Sequence, residues 1–340
     1  MRERPLKVGI VGCGIFGEVH AATYAQFERS ELAAVCDVDA KRAKAMAAKY
    51  GGRACTRVEE IAEDPTIEAV SVATPDFAHR EVCEAVVRAG KHLLVEKPLA
   101  TTVEDAEAIA AAVREAGVVG MVDFHNRYHP ALAPIKGRLD RGELGRPQML
   151  YARLSDRIEV ATEWFGWSGR SGPEWFLGSH LADLACWLMG AWPTRVYAQG
   201  RKDVLAARGI GCWDSVQMSL GFPEGLATLE TSWILPASWP MIVDFVVSLQ
   251  ATAGRADMDM SRQGTTVADA GRYDLPMLSG KTPEGEDEYG FLSLPIRRFV
   301  RAVLAGAESP MPMEVGVRNV KILAGVQESL ATGGVVALDL

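Results

Sequence analysis

Two basic side chains of the sequence are placed where they could carry a proton. His180 lies in GPEWFLGSHLADLACWL, near the start of a segment typical of a buried amphipathic helix, with Asp183 three residues later and Phe176 four residues earlier. Lys97 directly follows the apolar run HLLVE. A partly desolvated lysine can have its pKa lowered toward neutrality and exchange a proton with a hydroxyl. By position alone, the two residues could equally be a core histidine and a surface lysine.

A glycine-rich turn near the N-terminus predicts a dinucleotide site. The run VGIVGCGIFG places Gly12, Gly14 and Gly17 in G-x-G-x-x-G spacing, after a strand-like run and at the start of a helical one. Gly12 allows the tight turn, Gly14 lets the backbone approach a pyrophosphate, and Gly17 lets helix and strand pack closely. The helix N-terminus offers free N–H groups to the anion. Ile15 and Phe16, within the turn, belong to the same predicted cofactor site.

The next strand-like run ends in VCDVD, where Asp37 can accept hydrogen bonds from an adenosine ribose. A carboxylate there repels a 2′-phosphate, and the following residue is Val38 rather than arginine or serine. NAD is therefore favoured over NADP, which stays possible. Lys41 and Arg42 could still serve a phosphate, although we prefer to interpret them as solvated helix residues.

The first third of the chain alternates short apolar runs with alanine-rich helical patterns, which predicts an α/β domain with a doubly wound parallel sheet. Strands are predicted at 7–11, 32–36, 53–55, 69–73, 92–95 and 118–122, and helices at 19–27, 40–50, 78–89 and 103–116. Ligands of such sheets bind beyond the carboxyl ends of the strands, so Lys97 is expected to point toward the cofactor crevice. Pro98 predicts a rigid turn after it, with a trans or a cis peptide bond.

Beyond about residue 124 the pattern changes to alternating strand-like runs separated by glycine and proline turns, which predicts a second, α+β domain on a mostly antiparallel sheet. Strands are predicted at 149–157, 215–222, 227–232 and 242–249, and helices at 136–141, 294–304 and 315–332. The predicted domains are therefore 1–124 and 125–340. The polar segment 262–288 is expected to be irregular and exposed.

Composition excludes several classes of protein. A net charge of -8 without a basic block argues against a nucleic-acid binder, and no apolar run is long enough to cross a bilayer. The 6 cysteines are scattered without a CxxC pair, as in reduced core residues of a cytoplasmic protein. His125 and His129 have no partners at metal-ligand spacing, so no metal is predicted.

Five motifs together resemble the glucose-fructose oxidoreductase and inositol dehydrogenase family, Gfo/Idh/MocA. They are GIVGCGIFG, VATPDFAH, GKHLLVEKPLATT, GELGRP and GSHLADLACWLMG, and they extend over nearly the whole chain. The resemblance implies a Rossmann domain followed by an α/β domain whose large open sheet often mediates oligomers, here a homodimer or homotetramer. It also implies that a secondary alcohol of a sugar or cyclitol is oxidised or reduced with NAD or NADP.

The resemblance also implies roles for individual residues. Lys97 and His180 match the family's catalytic lysine and histidine, and Glu96 precedes that lysine in the EKP motif. Thr74, Pro75 and His79 match the border of the nicotinamide pocket. His79 could instead make a structural hydrogen bond at a helix start, which is the interpretation we prefer.

One position departs from the family pattern D-x-G-x-H-x-x-D, because Phe176 stands where the first acid is expected. A phenyl ring cannot hold the tautomer of His180, but it can pack against a sugar face. Asp183 is the nearest acid that could substitute, and it could equally be a cap or salt-bridge residue. Other acids that folding could bring close are Glu174, Asp156 and Glu163.

Aromatic and basic residues nearby are further candidates for substrate contact. The tryptophans at 164, 167, 175, 187 and 192 could stack on a sugar or fill the core. Trp187 is expected in the core, whereas at least one of Trp164, Trp167 and Trp175 is expected to line the site. Arg127 and Tyr128 follow the sixth predicted strand, where they could border cofactor or substrate.

Together with the family resemblance, these patterns predict an NAD-dependent dehydrogenase of a sugar, sugar derivative or cyclitol. His180 would be the general base and Lys97 would bond to the reacting oxygen and relay the proton, or these roles would be exchanged. One alternative is a glycosidase that works through transient oxidation and elimination. The other is a non-catalytic NAD-binding sensor.

Overall fold

Short buried strands alternate with helices from the N-terminus to residue 123, as the periodicity predicts. The computed structural model describes residues 4–260 and 289–340, and the backbone at 267–268 and 273–274. The first elements are β1 (Leu6–Val11), α1 (Ile15–Gln26), β2 (Ser30–Cys36), α2 (Ala40–Tyr50), β3 (Arg53–Cys55), α3 (Glu59–Ala62), β4 (Ala69–Val72), α4 (His79–Arg88), β5 (His92–Glu96), α5 (Val103–Ala116) and β6 (Gly120–Asp123).

The six strands form one parallel sheet in the order β3-β2-β1-β4-β5-β6. Strand β4 and nearly all of β5 are buried, which explains their continuous apolar sequence. The strand order reverses between β1 and β4, and the loops after both strands meet at that edge. The predicted doubly wound domain is confirmed.

The chain continues with α6 (Leu132–Asp140), β7 (Pro147–Arg157), α7 (Pro173–Phe176), α8 (Gly178–Met189), β8 (Arg195–Arg201), β9 (Ser215–Phe222), β10 (Gly225–Leu235), β11 (Val243–Ala251), β12 (Arg255–Asp259), β13 (Val267–Ala268), β14 (Tyr273–Asp274), α9 (Ser293–Ala305), α10 (Met313–Thr332) and β15 (Val336–Ala337). A seven-stranded sheet has the order β12-β11-β7-β10-β9-β8-β15. Only the β7–β10 pairing in it is parallel, so the prediction of a mostly antiparallel sheet is confirmed.

This second sheet has two different faces because residues alternate between them. Helix α8 packs against β7 and β10 on the apolar face, and residues such as Leu150, Ala152 and Leu229 are buried there. Polar side chains, among them Arg153, Gln217, Glu230 and Asp244, line a groove on the sheet. The alternation of apolar and polar positions in the sequence has this origin.

Packing divides the chain into two compact units, and the first is discontinuous. It contains residues 1–128 and 281–320, whereas the second contains 129–280 and 321–340. The sequence-based division into 1–124 and 125–340 assigned 281–320 to the second domain. Helix α9 instead packs on α1, β5 and β6, because its apolar side meets the parallel sheet. The segment 262–288 lies outside the residues whose side chains are described.

The cysteines and the helix lengths bear on two sequence expectations. All six cysteines lie in the described part of the chain, and all are buried thiols rather than disulfides. Burial raises the pKa of both Cys13 and Cys36 to about 12, which keeps these thiols protonated at neutral pH. Within the described residues, no helix is both long and apolar enough to traverse a membrane.

Candidate active site

The glycine-rich turn follows β1 and is shaped by close backbone contacts. Gly12 has a φ of 102°, and a Cβ there would lie 2.4 Å from the carbonyl oxygen of Ala73. A Cβ on Gly17 would lie 1.9 Å from the carbonyl oxygen of Gly12. Gly14 instead faces open space and caps α1 without a side-chain hydrogen bond. The turn therefore leaves the N-terminus of α1 open to an anion.

Asp37 is buried at the end of β2 and ties the two loops of this edge together. Its Oδ2 accepts a hydrogen bond from Cys13 N at 2.9 Å, and its Oδ1 accepts one from Asp39 N at 2.8 Å. A carboxylate offers about four acceptor positions, so capacity remains for ribose hydroxyls. Val38 is 96% exposed, and Arg42 is paired with Asp39 at 3.7 Å.

The loop after β4 offers one polar group suited to a nucleotide. Thr74 Oγ1 is buried, and no partner for it lies among the described residues. A buried hydroxyl without a partner is costly unless a ligand or water satisfies it. This hydroxyl, the open Gly14 and the uncapped helix N-terminus all fit a bound dinucleotide.

His79 lies at the start of α4, where both of its ring nitrogens face protein carbonyls. Nδ1 is 3.0 Å from Pro98 O, and Nε2 is 3.0 Å from Thr74 O. The histidine thus joins the loops that follow β4 and β5. The structural interpretation preferred from the sequence agrees with this geometry, and its contribution to a cofactor site is to shape these loops.

Lys97 directly follows β5, and the Lys97–Pro98 peptide bond is cis. Its side chain is only 3% exposed, which excludes the surface lysine that position alone allowed. Nζ lies 5.6 Å from the centroid of the Phe16 ring, within cation–π range. The Phe16 ring in turn stacks on His125 at 5.7 Å. Lys97 is therefore a buried cation beside the glycine-rich turn.

A chain of buried polar groups behind Lys97 was not predicted from the sequence. His20 Nδ1 lies 3.0 Å from Ser71 Oγ, which is 2.6 Å from Tyr24 Oη. His20 Nε2 lies 3.1 Å from Glu96 Oε1 and 3.6 Å from Asp123 Oδ2. The one sequence signal was His20 and Tyr24 at i and i+4 on the helix that follows the glycine-rich turn.

Arg127 and Tyr128 lie in the turn after β6, in the first unit. The Arg298 guanidinium lies 5.3 Å from the centroid of the Tyr128 ring. That contact holds the ring against α9, while the contribution of either residue to ligand binding stays a prediction.

His180 and Asp183 lie on α8 in the second unit. They are 4% and 3% exposed, and all the helix residues before Trp187 are buried. The amphipathic helix that the sequence predicts is thus enclosed on nearly every side. His180 is on its first turn, close to the end of α7.

Phe176 ends α7 within a cluster of four aromatic rings, Phe165, Trp167, Phe176 and Trp233. Phe165 stacks on Trp167 at 4.6 Å and meets Phe176 edge-on at 5.0 Å, and Trp233 lies 5.8 Å from Phe176. Trp233 is fully buried, while the other three rings are half-exposed. The position next to the histidine helix is therefore an apolar wall.

Besides Asp183, three acids were proposed to replace the missing carboxylate, and their surroundings differ. Asp156 Oδ2 accepts a hydrogen bond from Trp233 Nε1 at 3.2 Å, which places it behind the aromatic cluster. Glu174 Oε1 accepts one from Gln327 at 2.9 Å. Glu163 is exposed on the surface. Of these three, Asp156 alone has a described bond to the cluster.

The tryptophans predicted to line a site differ in how exposed they are. Trp164 is 48% exposed and Trp175 is 9% exposed, so Trp175 is a core residue. Trp167 belongs to the aromatic cluster, and it is the tryptophan of the loop best placed to present a ring face. Phe165 and Trp233 complete this cluster, and neither was predicted as a site residue from the sequence.

Two family models match this chain, and together they cover well over half of it. The model described as oxidoreductase family, NAD-binding Rossmann fold, matches residues 6–124. The model described as the GFO/IDH/MocA C-terminal domain matches residues 133–257. The chain belongs to the Gfo/Idh/MocA oxidoreductase family. Its first unit is accordingly an NAD-binding Rossmann domain, as the glycine-rich turn predicted.

Among relatives of this Gfo/Idh/MocA protein, an uncharacterized oxidoreductase of Bacillus subtilis, YrbE, is 27% identical over 99% of this chain and 97% of its own. The scyllo-inositol 2-dehydrogenase (NAD(+)) of the same species is 32% identical over 58% of each chain. The crystal structure of scyllo-inositol dehydrogenase from Lactobacillus casei, with bound NAD(H) and scyllo-inositol, superposes with a TM-score of 0.84. It is 18% identical and covers 98% of this chain and 99% of its own; at that identity the likeness establishes the fold.

Proposed function

We propose that this Gfo/Idh/MocA protein is a dehydrogenase that oxidises or reduces a secondary alcohol of a sugar, sugar derivative or cyclitol. The observation that carries the proposal is the buried Lys97 ammonium, placed at the carboxyl end of β5 beside an open glycine-rich turn. Because burial of a charge is costly, a buried ammonium is expected to pair with an acid or to take part in binding or catalysis. The inositol dehydrogenases among its relatives support this substrate class.

NAD, when bound, supplies the carbon that exchanges a hydride with the substrate. Gly14 and the N-terminus of α1 would hold its pyrophosphate, Asp37 its adenosine ribose, and Thr74 Oγ1 a polar group of the nucleotide. Asp37 is buried and its carboxylate repels a 2′-phosphate, so we expect NAD to be preferred over NADP.

The residues of the chain would move the proton. His180 removes the proton of the reacting hydroxyl, and Lys97 donates a hydrogen bond to the same oxygen and relays the proton. Both side chains are nearly fully buried, which strengthens electrostatic interactions with a polar substrate. The reverse assignment of the two roles uses the same groups.

The aromatic cluster around Phe176 supports a substrate with one apolar face. Its half-exposed rings offer no charged acceptor for a hydroxyl, whereas ring faces stack well on the C–H face of a pyranose or cyclitol. Trp167 and Phe176 are the rings that we propose for this contact. Asp183 and Asp156 remain the acids proposed to assist His180.

We further propose that the enzyme is a cytoplasmic homodimer or homotetramer. Six buried thiols without disulfides suit a reducing compartment. The polar groove on the seven-stranded sheet is the surface that we propose for assembly.

The test is to incubate the protein with NAD or NADP and a panel of cyclitols, aldoses and glycosides, following reduced nicotinamide and product together. Accumulation of NADH or NADPH with an oxidised cyclitol or sugar supports the dehydrogenase. Net hydrolysis of a glycoside without reduced nicotinamide would instead identify a glycosidase. Tight dinucleotide binding with no turnover of any compound would identify a sensor and overturn the proposal.

A further inference from the structure

Three buried polar side chains of the first unit form a cluster near Lys97. His20, Glu96 and Asp123 come from α1, β5 and β6, and their side-chain polar atoms converge within 4.8 Å. His20 and Asp123 are each 1% exposed, and Glu96 is 5% exposed. Groups at this depth must be paired or neutral, because each uncompensated charge costs several kcal/mol.

One arrangement of protons satisfies the chain of hydroxyl and imidazole groups. Tyr24 O–H donates to Ser71 Oγ, Ser71 O–H donates to His20 Nδ1, and His20 Nε2–H donates to Glu96 Oε1. The imidazole is then the donor to Glu96 through Nε2. Its orientation is set from one side by Ser71 and from the other by Glu96.

Glu96 accepts the hydrogen bond from His20 at Oε1 and one from the Lys97 backbone at Oε2. The backbone N–H of Lys97 donates to Glu96 Oε2 at 3.3 Å. Burial raises the pKa of Glu96, but the hydrogen bond from His20 and the nearby cationic groups outweigh it and hold that pKa below its usual value. Glu96 is therefore the ionised acid of the pair and balances the Lys97 ammonium.

Asp123 is the neutral acid. Burial and the charge of Glu96 raise the pKa of Asp123 well above its usual value, against the opposing charge of Lys97. Asp123 Oδ1 is buried and has no partner among the described residues. Two carboxyl groups this close divide into one ionised and one protonated group, as in other paired acids.

We propose that His20 is the positioning residue for Lys97: it fixes the Glu96 carboxylate, which accepts the Lys97 backbone N–H and balances the lysine's charge. This inference rests on the proposed function, in which Lys97 contacts the reacting oxygen. His20 itself touches neither substrate nor cofactor. It acts through Glu96, because its Nε2–H is the described side-chain donor to that carboxylate.

A substitution of His20 removes none of the other titratable groups on the neighbouring elements of the first unit. They are Glu96 on β5, Asp123 and His125 at and after β6, Asp76 and His79 before and on α4, and, on the packed helix α9, Arg297 and Arg298, whose guanidinium groups lie over the rings of Phe27 and Tyr128. Loss of the His20 donor alone therefore weakens the Glu96 carboxylate as the partner of the ammonium. Lys97 would then release its proton at lower pH.

The experiment compares three variants of His20 in the full-length enzyme with NAD. In His20→Gln the side-chain amide replaces the Nε2 donor, in His20→Asn it replaces only the Nδ1 side, and His20→Phe has neither. Lys97→Arg, which does not titrate in this range, identifies the inflection of the kcat/KM profile that belongs to Lys97. Thr23→Val is the control, because Thr23 is buried on the same helix and its hydroxyl donates to Val19 O.

We expect His20→Asn and His20→Phe to lower kcat at least tenfold and to move the Lys97 inflection to lower pH by about half a unit or more. KM for NAD should change less than twofold, and His20→Gln and Thr23→Val should match the wild type. Wild-type profiles and kcat in His20→Asn and His20→Phe would overturn the positioning role. Equal losses in His20→Gln and His20→Asn, or a stoichiometric metal in the purified enzyme, would overturn it as well.

Two further measurements separate this inference from the proposed function. Full turnover in Lys97→Met would overturn the proposed function. If Lys97→Met is inactive while the His20 variants behave like the wild type, only the positioning role is overturned. Where a His20 variant does not fold by circular dichroism, Ser71→Ala tests the same chain without loss of bulk. Its expected result is a shift in the same direction, and an unchanged profile contradicts the inference.

Discussion

At the scale of single residues, two buried basic side chains are the candidates for proton transfer, and they lie in different units. Lys97 is a buried cation of the Rossmann unit, and His180 is a buried imidazole on a helix of the second unit. The sequence motifs predicted that these two residues are functional. Their burial was not predicted, because a lysine after a strand and a histidine in a helix occur both at the surface and in the core.

Replacement of Asp37 by Asn should shift cofactor preference toward NADP. The amide removes the charge that repels a 2′-phosphate but retains an acceptor for Cys13 N or Asp39 N. The ratio of kcat/KM for NADP to that for NAD should rise about tenfold or more, equivalent to ~1.4 kcal/mol. Asp39→Asn removes the same charge two residues away and should change the ratio much less. An equal effect of both variants would show that only net charge matters.

Replacement of His180 by Asn should lower kcat by about 10²–10⁴, the usual contribution of a general base. NADH affinity should change less than twofold, as measured by the fluorescence of the reduced nicotinamide. The matched control is His129→Asn, a second buried histidine of the same unit, whose Nδ1 accepts a hydrogen bond from Ala131 N. Comparable kcat values for the His180 and His129 variants would contradict the catalytic role.

At the scale of elements, the strand and helix ends determine which groups meet. Strands β1, β4, β5 and β6 are parallel neighbours, so the residues after them share one edge. The sequence predicted these strands to within a few residues, because fully buried strands and turn glycines leave strong signals. It did not predict β8 or β12, whose mixed polar composition reflects positions near the edge of the second sheet.

The glycines of the first turn should separate stability from cofactor binding. Gly17→Ala should destabilise the protein by ~1–3 kcal/mol or more, because its Cβ would overlap the carbonyl of Gly12. Gly14→Ala should leave the melting temperature of the cofactor-free protein unchanged, because open space surrounds that position. It should weaken NAD binding at least about tenfold. Normal NAD affinity in Gly14→Ala would show that the pyrophosphate does not approach this residue.

The acid at the end of β6 should make stability depend on pH. The folded state holds the Asp123 proton more tightly than the unfolded state, so this stabilisation is fully present at acid pH. It is lost as pH rises toward the raised pKa of Asp123. Asp123→Asn should therefore gain melting temperature relative to wild type between about pH 5 and pH 9, by a few degrees per kcal/mol. A difference that shrinks with rising pH would contradict a protonated Asp123.

At the scale of the whole molecule, the residues proposed for cofactor binding and those proposed for substrate binding lie mostly in different units. The Rossmann unit has the features that a dinucleotide needs, and the second unit contributes His180, the aromatic cluster and a broad sheet. The chain returns to the first unit at residues 281–320. Continuous domain boundaries, the simplest expectation from a change of pattern, cannot represent such a return.

Assembly through the seven-stranded sheet is testable by a single charge. Gln217 lines the groove and lies opposite Gln199 in the β8–β9 register. Gln217→Arg should dissociate the oligomer into smaller species in light scattering, with unchanged circular dichroism. Gln148→Arg, at an exposed position of β7 outside the groove lining, is the control. A monomeric wild type, or an oligomer unaffected by Gln217→Arg, would contradict assembly at this surface.

The sequence by itself determined the two domain classes, the dinucleotide turn, the acid at 37 and the identity of the two basic residues. These are local properties, since they depend on periodicity, glycine geometry and motif spacing. The tertiary structure decided that Lys97 is buried, that His20, Glu96 and Asp123 converge behind it, and that Phe176 joins rings at positions 165, 167 and 233. Such groups are distant in the chain, and they meet only because strands from separate segments end at one edge or because helices pack on one sheet face.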